Sequence, residues 1–397
     1  MKSLFKTANY FSADYEKLDD RSKLFFQTQL FSVLDPRRLI EVNIEEMFKY
    51  NLELYCLYSC YHLGEHRKAK MILSQIGLES AISETIKYIY QQDDKCKASK
   101  KRNDINISFI DFWGIKNLEC SFIVWALKQM KNRTVNITTP ENADIIVFSS
   151  YTYMNRIERY NDKYKIYWSS EQDIPEKDTY NLSLTSINVK EDEKHIRYMP
   201  WLGCIIFPGL KSSFYGKEHV QVPLKEIYDP RFGCHNYTSD KRYKSSAIIS
   251  NPVRSRIDFI DELELALGEG SMLKGGRVYN NRIECKKTAL RECISNVCFE
   301  NAIVPGYITE KLFEAKVVGC IPIYSGHKTV YRDFNTNGFI NIDQLNKNGE
   351  EEDVITIANI LKNEEMVKKM MSEPLFRNPP DIMDKIDRLN KAVRECI

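Results

Sequence analysis

Residues 299–326 read FENAIVPGYITEKLFEAKVVGCIPIYSG. A strand ends at Phe299, a loop carrying Pro305 and Gly306 follows, and a helix begins at Glu310. Thr309 stands where an N-cap side chain is preferred. Gly319 falls where that helix must stop, and Pro322 opens the next strand, a position at which a missing N–H is tolerated. The free N–H groups at the helix start, with Lys311 in the first turn, suit a diphosphate. A lysine in a first turn opposes the helix dipole, so an anion is expected to compensate it. An ordinary strand–loop–helix with surface charges is the competing reading.

The same alternation continues on both sides. Downstream of residue 244, SSAIIS reads as a strand, Ile257–Leu267 as a helix, ISNVCF as a strand, Glu310–Val318 as a helix, and CIPIY and GFINI as strands. Upstream, ISFIDFW, ADIIVFSS, KIYWSS and HIRYMPWL read as strands, with a helical run over Ser121–Met130. Strands and helices in alternation point to parallel sheets covered on both faces. The expected architecture is α/β with two Rossmann-like lobes in series, whose ligands bind at the carboxyl ends of the strands, in a cleft between lobes. The expected boundaries are a helical N-terminal region over 1–103, a first lobe over 104–206, a connection over 207–244, a second lobe over 245–375 and a C-terminal helix over 376–397. In the first region Leu57, Tyr58, Tyr61, Gly64, Ala69 and Ile72 follow the small/large pattern of a tetratricopeptide hairpin. A single copy cannot bury its own faces, so a generic helical cap competes with a true repeat. The stretch QQDDKCKASKKRND over 91–104 reads as a linker.

Composition narrows the partners. Charged residues make up 28% and apolar ones 43% of 397 residues, which is ordinary for a globular chain. The net charge of +2 favours neither nucleic acid nor an anionic membrane. The N-terminal MKSLFKTANYFSADYEK has no continuous apolar core of a secretory signal. The longest apolar runs, near Phe122–Leu127 and Val317–Tyr324, fall well short of the ~18 residues that span a bilayer. Eleven cysteines lack the regular spacing of a disulfide framework or zinc site, so free, mostly buried thiols in a reducing compartment are expected. The expected location is the cytoplasm, with peripheral membrane association as a variant.

Two further stretches carry reactive groups. In KIYWSSEQDIPEKD, Glu171 and Asp173 follow directly from a strand and emerge at its carboxyl end, where a partly buried carboxylate suits a general base. Acidic loop residues are also common as solubilising groups. In SNPVRSRIDFIDEL, Arg254 and Arg256 stand at a helix entrance, where a guanidinium can fork onto phosphate oxygens or pair with Asp258 or Asp261 on the surface.

FENxxxxGYITEK followed by a helix and GCIPIYSG closely resembles the signature of the α1,3/α1,4-fucosyltransferases, bacterial members above all. IDFWG near residue 112, the acidic loop with Glu171, RYMP at 197–200 and SNPVRSR at 250–256 occur in the expected order, so the resemblance covers roughly residues 106–375. It implies a GT-B fold and an inverting transfer from GDP-fucose to an oligosaccharide or glycan hydroxyl. Glu171 is then the base, with Asp173 as its substitute or as an acceptor contact. Arg256 and Lys311 neutralise the GDP leaving group, with Arg254 as a substitute for Arg256. Glu310 faces the sugar or ribose, and Tyr307, Asn301, Thr309 and Glu300 line the donor pocket. Trp113 and residues 151–153 belong to the acceptor side. No cofactor is implied, and a divalent metal at most stimulates, since no DxD follows a strand. The loop reads SSEQDIP where animal members carry an ESP-type sequence, and the C-terminal heptad repeats of many bacterial members are absent. The helical region before residue 100 lies outside the resemblance and is a candidate for contacting a protein partner or mediating oligomerisation. Another nucleotide-sugar donor, or an adaptor with an inactive transferase lobe, are the alternatives.

Overall fold

The structure, a computed structural model, describes residues 53–76, 86–92, 103–110, 117–150, 157–173, 177–187, 191–345 and 350–395. These fall into two compact units, one within Met1–Ile115 and Arg133–Tyr164, the other within Lys116–Asn132 and Lys165–Ile397.

In the first unit, helices α1 (Glu53–His62) and α2 (His66–Gln75) form a hairpin. Leu57, Tyr61, Ala69 and Ile72 are buried in it, so the small/large pattern reports a packed pair. The Tyr61 hydroxyl is 2.9 Å from Ser108 Oγ, which ties the hairpin to strand β1 (Asp104–Ile110). The rest of the predicted helical region, except 86–92, lies outside the described residues, as do Trp113, residues 151–153 and most of the predicted linker. β1 pairs in parallel with β2 (Thr134–Ile137) and β3 (Ile145–Phe148), Ile107 standing opposite both Ile137 and Ile145. All four residues of β3 are buried, as a strand covered on both faces requires.

The second unit holds helix α3 (Phe122–Lys128) and three parallel strands, β4 (Tyr164–Ser169), β5 (Leu182–Thr185) and β6 (His195–Arg197). The predicted strand HIRYMPWL stops at Arg197, because Pro200 opens a 3-10 turn, Pro200–Cys204. A two-residue pair, β7 (Ile205–Ile206) and β8 (Val222–Pro223), follows.

Beyond it, β9 (Ser245–Ile248) pairs in parallel with β10 (Met272–Gly275), and β11 (Ser295–Phe299), β12 (Ile321–Ser325) and β13 (Ile340–Asn341) form a second parallel set. The Ile294 amide donates to Tyr243 O at 3.0 Å, drawing the lead-in of β11 beside that of β9. Helices α4 (Arg254–Leu267), α5 (Lys286–Arg291), α6 (Glu310–Val317), α7 (Glu350–Lys362) and α8 (Glu364–Ser372) connect and cover these strands. Ile260, Leu263, Ile321, Ile323, Ile357 and Val367 meet in its core.

The final helix α9 (Ile382–Arg394) buries Ile382, Ile386, Leu389 and Val393, an i, i+4, i+7, i+11 stripe, against α3 and β6. Charges reinforce that contact. Glu191 accepts from the Arg197 amide at 2.7 Å and pairs with Lys385 at 3.1 Å and Arg388 at 2.9 Å. Arg197 in turn forks onto Asp333, with Nη1–Oδ1 at 2.6 Å and Nη2–Oδ2 at 2.7 Å. The nine described cysteines are unpaired thiols, and seven are buried. No described helix is long and apolar enough to cross a membrane.

Candidate functional site

β11 ends at Phe299 and delivers Glu300 into the loop before α6. The Glu300 carboxylate is fully buried and organises that loop. Its Oε1 accepts from the Thr309 amide at 2.7 Å, and its Oε2 accepts from the Thr309 hydroxyl at 2.7 Å and from Lys311 Nζ at 3.1 Å. Lys311 Nζ also donates to Thr309 Oγ1 at 2.9 Å. Thr309 occupies the N-cap position as expected, but its hydroxyl is turned towards Glu300 and makes no capping bond. The first-turn N–H groups of α6 are therefore not capped by the Thr309 side chain. The charge of Lys311, which opposes the helix dipole, is balanced inside the protein by Glu300. Burial alone depresses the Lys311 ammonium, but Glu300 and Glu310 outweigh it and hold its pKa above the usual lysine value.

α4 presents Arg254 and Arg256 in opposite ways. Arg254 is 88% exposed and pairs with Asp258 at 2.9 Å, one helical turn on. Arg256 is buried, and its Nη2 donates to Glu300 O at 3.0 Å and Asn301 Oδ1 at 3.2 Å. Its Nε is buried without a hydrogen-bond partner among the described residues, a donor in place for one more acceptor. Burial lowers its pKa, with Glu300 and Tyr307 opposing. Arg256, Glu300, Asn301, Thr309 and Lys311 thus form one cluster, and Arg254 stands outside it.

The loop between β11 and α6 passes close to the chain beyond β5. Gly306 has φ +87°, and a Cβ there would lie 2.1 Å from Ser186 O. Only glycine fits this left-handed, crowded position. The Gly306 amide donates to Thr329 Oγ1 at 2.9 Å, and Tyr307 beside it is buried.

At the carboxyl end of β4, Ser169 Oγ accepts from the Glu171 amide at 3.0 Å, which turns the chain and half-buries Glu171. Asp173 is exposed, with its carbonyl accepting from the Tyr167 hydroxyl. Ser170 hydrogen-bonds Tyr215, whose hydroxyl is pushed well up by burial and then by the charge of Glu310. Tyr215 therefore sits between the acidic loop and the start of α6. Its ring fits because residue 203 is glycine: a Cβ there would stand 2.5 Å from the ring.

Four groups that sequence reading missed complete the arrangement. Glu314 is one turn below Glu310 and fully enclosed. It pairs with Lys286 of α5 at 2.8 Å and with His219 Nδ1 at 2.7 Å. Lys286 Nζ is also 3.9 Å from Glu310 Oε1, and the His219 and Tyr215 rings lie 4.9 Å apart. Burial works to raise both acids. For Glu310, Lys311 and then Lys286 overturn it, leaving the carboxyl below its usual range. For Glu314, Lys286 and His219 bring it down to about 2. The only available signal was the i, i+4 pair of acids on one helix, which reads equally well as a solvated face. Among the described residues no group of three or more His, Cys, Asp or Glu side chains is placed to hold a metal.

Comparison with known proteins gives this arrangement a context. Residues 238–369 match the family described as glycosyltransferase family 10 (fucosyltransferase), C-terminal part. An alpha-(1,3)-fucosyltransferase of Helicobacter pylori is 24% identical over 319 residues, 75% of this chain and 65% of that protein. The chain thus spans just under two thirds of that relative. A putative fucosyltransferase of Acanthamoeba polyphaga mimivirus is 35% identical over 92 residues, 23% of this chain and 15% of that one. A crystal structure of an alpha1,3-fucosyltransferase superposes with a TM-score of 0.56 at 16% identity, covering 77% of this chain and 97% of its own. Another, with GDP-fucose, superposes at 0.53 and 18% identity, covering 74% and 92%. The fold is the GT-B fold expected from the sequence.

Proposed function

This chain is a member of the fucosyltransferase family, and on that premise we propose that it transfers L-fucose from GDP-β-L-fucose to a glycan hydroxyl with inversion. The acceptor is an N-acetylglucosamine-containing glycan, and the product an α1,3 or α1,4 fucoside. One observation carries the reading: Arg256 and Lys311 are both held by Glu300, Arg256 through its backbone carbonyl and Lys311 through its buried carboxylate, at a helix start that Thr309 does not cap with its side chain. Two cations beside a helix start are what a diphosphate leaving group needs.

The chemistry follows from the named groups. The acceptor oxygen attacks C1 of fucose while its proton passes to the Glu171 carboxylate. The bond from C1 to the β-phosphate oxygen breaks, and GDP leaves with the electron pair. Arg256 and Lys311 neutralise the charge gathering on the diphosphate. Glu310, ionised, opposes the positive charge developing at C1 or binds sugar hydroxyls. No step calls for a cofactor. The donor side is assigned to 245–375 and the acceptor side to 104–206.

The test is GDP release from GDP-fucose with and without N-acetyllactosamine, in chelator, with GDP-mannose as control donor. Acceptor-dependent release confined to GDP-fucose is the expected result. Release from GDP-mannose instead would move the donor assignment to another nucleotide-sugar. GDP binding with no release from any donor would favour a binding protein with an inactive lobe.

A further inference from the structure

We propose that Lys286 is a positioning residue for the transfer reaction, keeping Glu310 ionised from its seat on Glu314 and His219. The inference rests on the reading that Glu310 faces the fucose. A carboxylate can oppose positive charge at C1 only while ionised. Glu310 and Glu314 stand four residues apart on α6, where like charges repel; Glu314 is buried and Glu310 partly so. Left alone, one of them would take a proton.

Lys286 removes that conflict by its location. It lies in the first turn of α5, and its amide donates to Glu218 O at 3.0 Å, which pins α5 to the segment carrying His219. Its Nζ is 2.8 Å from Glu314 Oε2 and 3.4 Å from His219 Nδ1, so its position is set by Glu314 and not by Glu310. Glu314 Oε1 is held in turn by His219 at 2.7 Å and by the Val220 amide at 3.3 Å. From this seat the ammonium reaches Glu310 Oε1 at 3.9 Å, close enough to act by charge without fixing the carboxylate in a bond. Glu310 keeps its oxygens for a ligand, whereas Glu314 has both of its own engaged. The groups acting on Glu310 are Lys311 and Glu314 on its own helix, Lys286 on α5, His219 and Tyr215 from the segment before β8, and Cys204 from the 3-10 turn. Of these, Lys311 acts from within the Glu300 cluster, and Lys286 is the cation that reaches Glu310 from another helix, within ion-pair range of its carboxylate.

Three variants test this: Lys286→Met, Lys286→Arg and Glu310→Gln, each measured for kcat, for GDP affinity by calorimetry, and for the acid limb of the kcat profile. Lys286→Met is expected to lower kcat by roughly ten- to a hundredfold, the range seen when a group that orients a functional side chain is removed. GDP affinity should stay within about twofold. The acid limb should move to higher pH, since Glu310 then protonates more readily, and Lys286→Arg should restore both. If Lys286→Met does not fold, Lys286→Gln, which keeps a donor to Glu314, carries the same comparison. A parallel loss of kcat and GDP affinity with an unmoved acid limb overturns the proposal and makes Lys286 structural. Full turnover in Glu310→Gln would remove the underlying reading of Glu310 instead. An inactive Glu310→Gln beside an unaffected Lys286→Met leaves that reading intact and removes Lys286 alone.

Discussion

Replacing Arg256 by alanine separates the two arginines that the sequence left interchangeable. Arg256 is buried, makes two hydrogen bonds through Nη2, and keeps Nε without a partner among the described residues. Arg254 is 88% exposed and pairs with Asp258. If Nε and the guanidinium charge serve the diphosphate, Arg256→Ala deletes one charge-assisted contact, worth ~1.5–3 kcal/mol, and weakens GDP binding by roughly ten- to 150-fold. Arg256→Lys keeps the charge but not the fork, and should fall between wild type and Arg256→Ala. Arg254→Ala should bind GDP as wild type does, because an exposed i, i+4 pair contributes only about 0.3–0.5 kcal/mol, and to the helix. The assay is calorimetric titration with GDP, alongside a thermal midpoint for each variant. That midpoint matters because Arg256 also holds the Glu300 carbonyl and Asn301. Equal GDP affinity in wild type and Arg256→Ala, or a loss confined to Arg254→Ala, would refute the assignment.

Other outcomes are open to the same kind of check. Glu171→Gln should bind GDP-fucose normally and lose transfer; near-normal turnover would take the base away from Glu171. Lys311→Ala should weaken GDP binding about ten- to a hundredfold, and unchanged affinity in calorimetry would place Lys311 outside the site. Asp333→Asn breaks the fork to Arg197 and should cost about 3 kcal/mol, the lower end for a buried pair losing one partner; an unchanged thermal midpoint would contradict that. Burial holds Lys316 down at about 8, against 10.5 in the unfolded chain. Between those values the unfolded chain binds more protons, so this residue adds stability as pH rises from about 8 to 10.5. The midpoint of the wild type should therefore gain on that of Lys316→Met across that window, and a constant difference between the two would argue against the depressed value.

The strands were legible where the chain is apolar without interruption. IIVF in β3 and the run around β12 can only be covered on both faces, and each proved a parallel strand. LSLT in β5 and MLKG in β10 were not legible, because four residues with one or two polar members look like any turn. The helix start at Glu310 was read from Thr309, yet the hydroxyl serves Glu300, a partner nine residues back that no local rule supplies. Arg256 could not be told from Arg254 by sequence, since which face of α4 is buried depends on what covers it. Tyr215 and His219 lie in a stretch with no period, and only the fold brings them to Glu310 and Glu314.

The seat of α9 on α3 has a consequence for how the chain is made. α3 is a continuous apolar helix, FIVWALK, with six of its seven residues buried, and α9 forms part of its cover. Synthesis from Lys128 to Ile382 at ~5–20 residues per second leaves α3 waiting roughly ten to fifty seconds for that cover. During this interval the face of α3 that α9 covers stays open on the nascent chain. Loss of the last turns should therefore appear first as a poor yield of soluble chain, before any defect in turnover is measured.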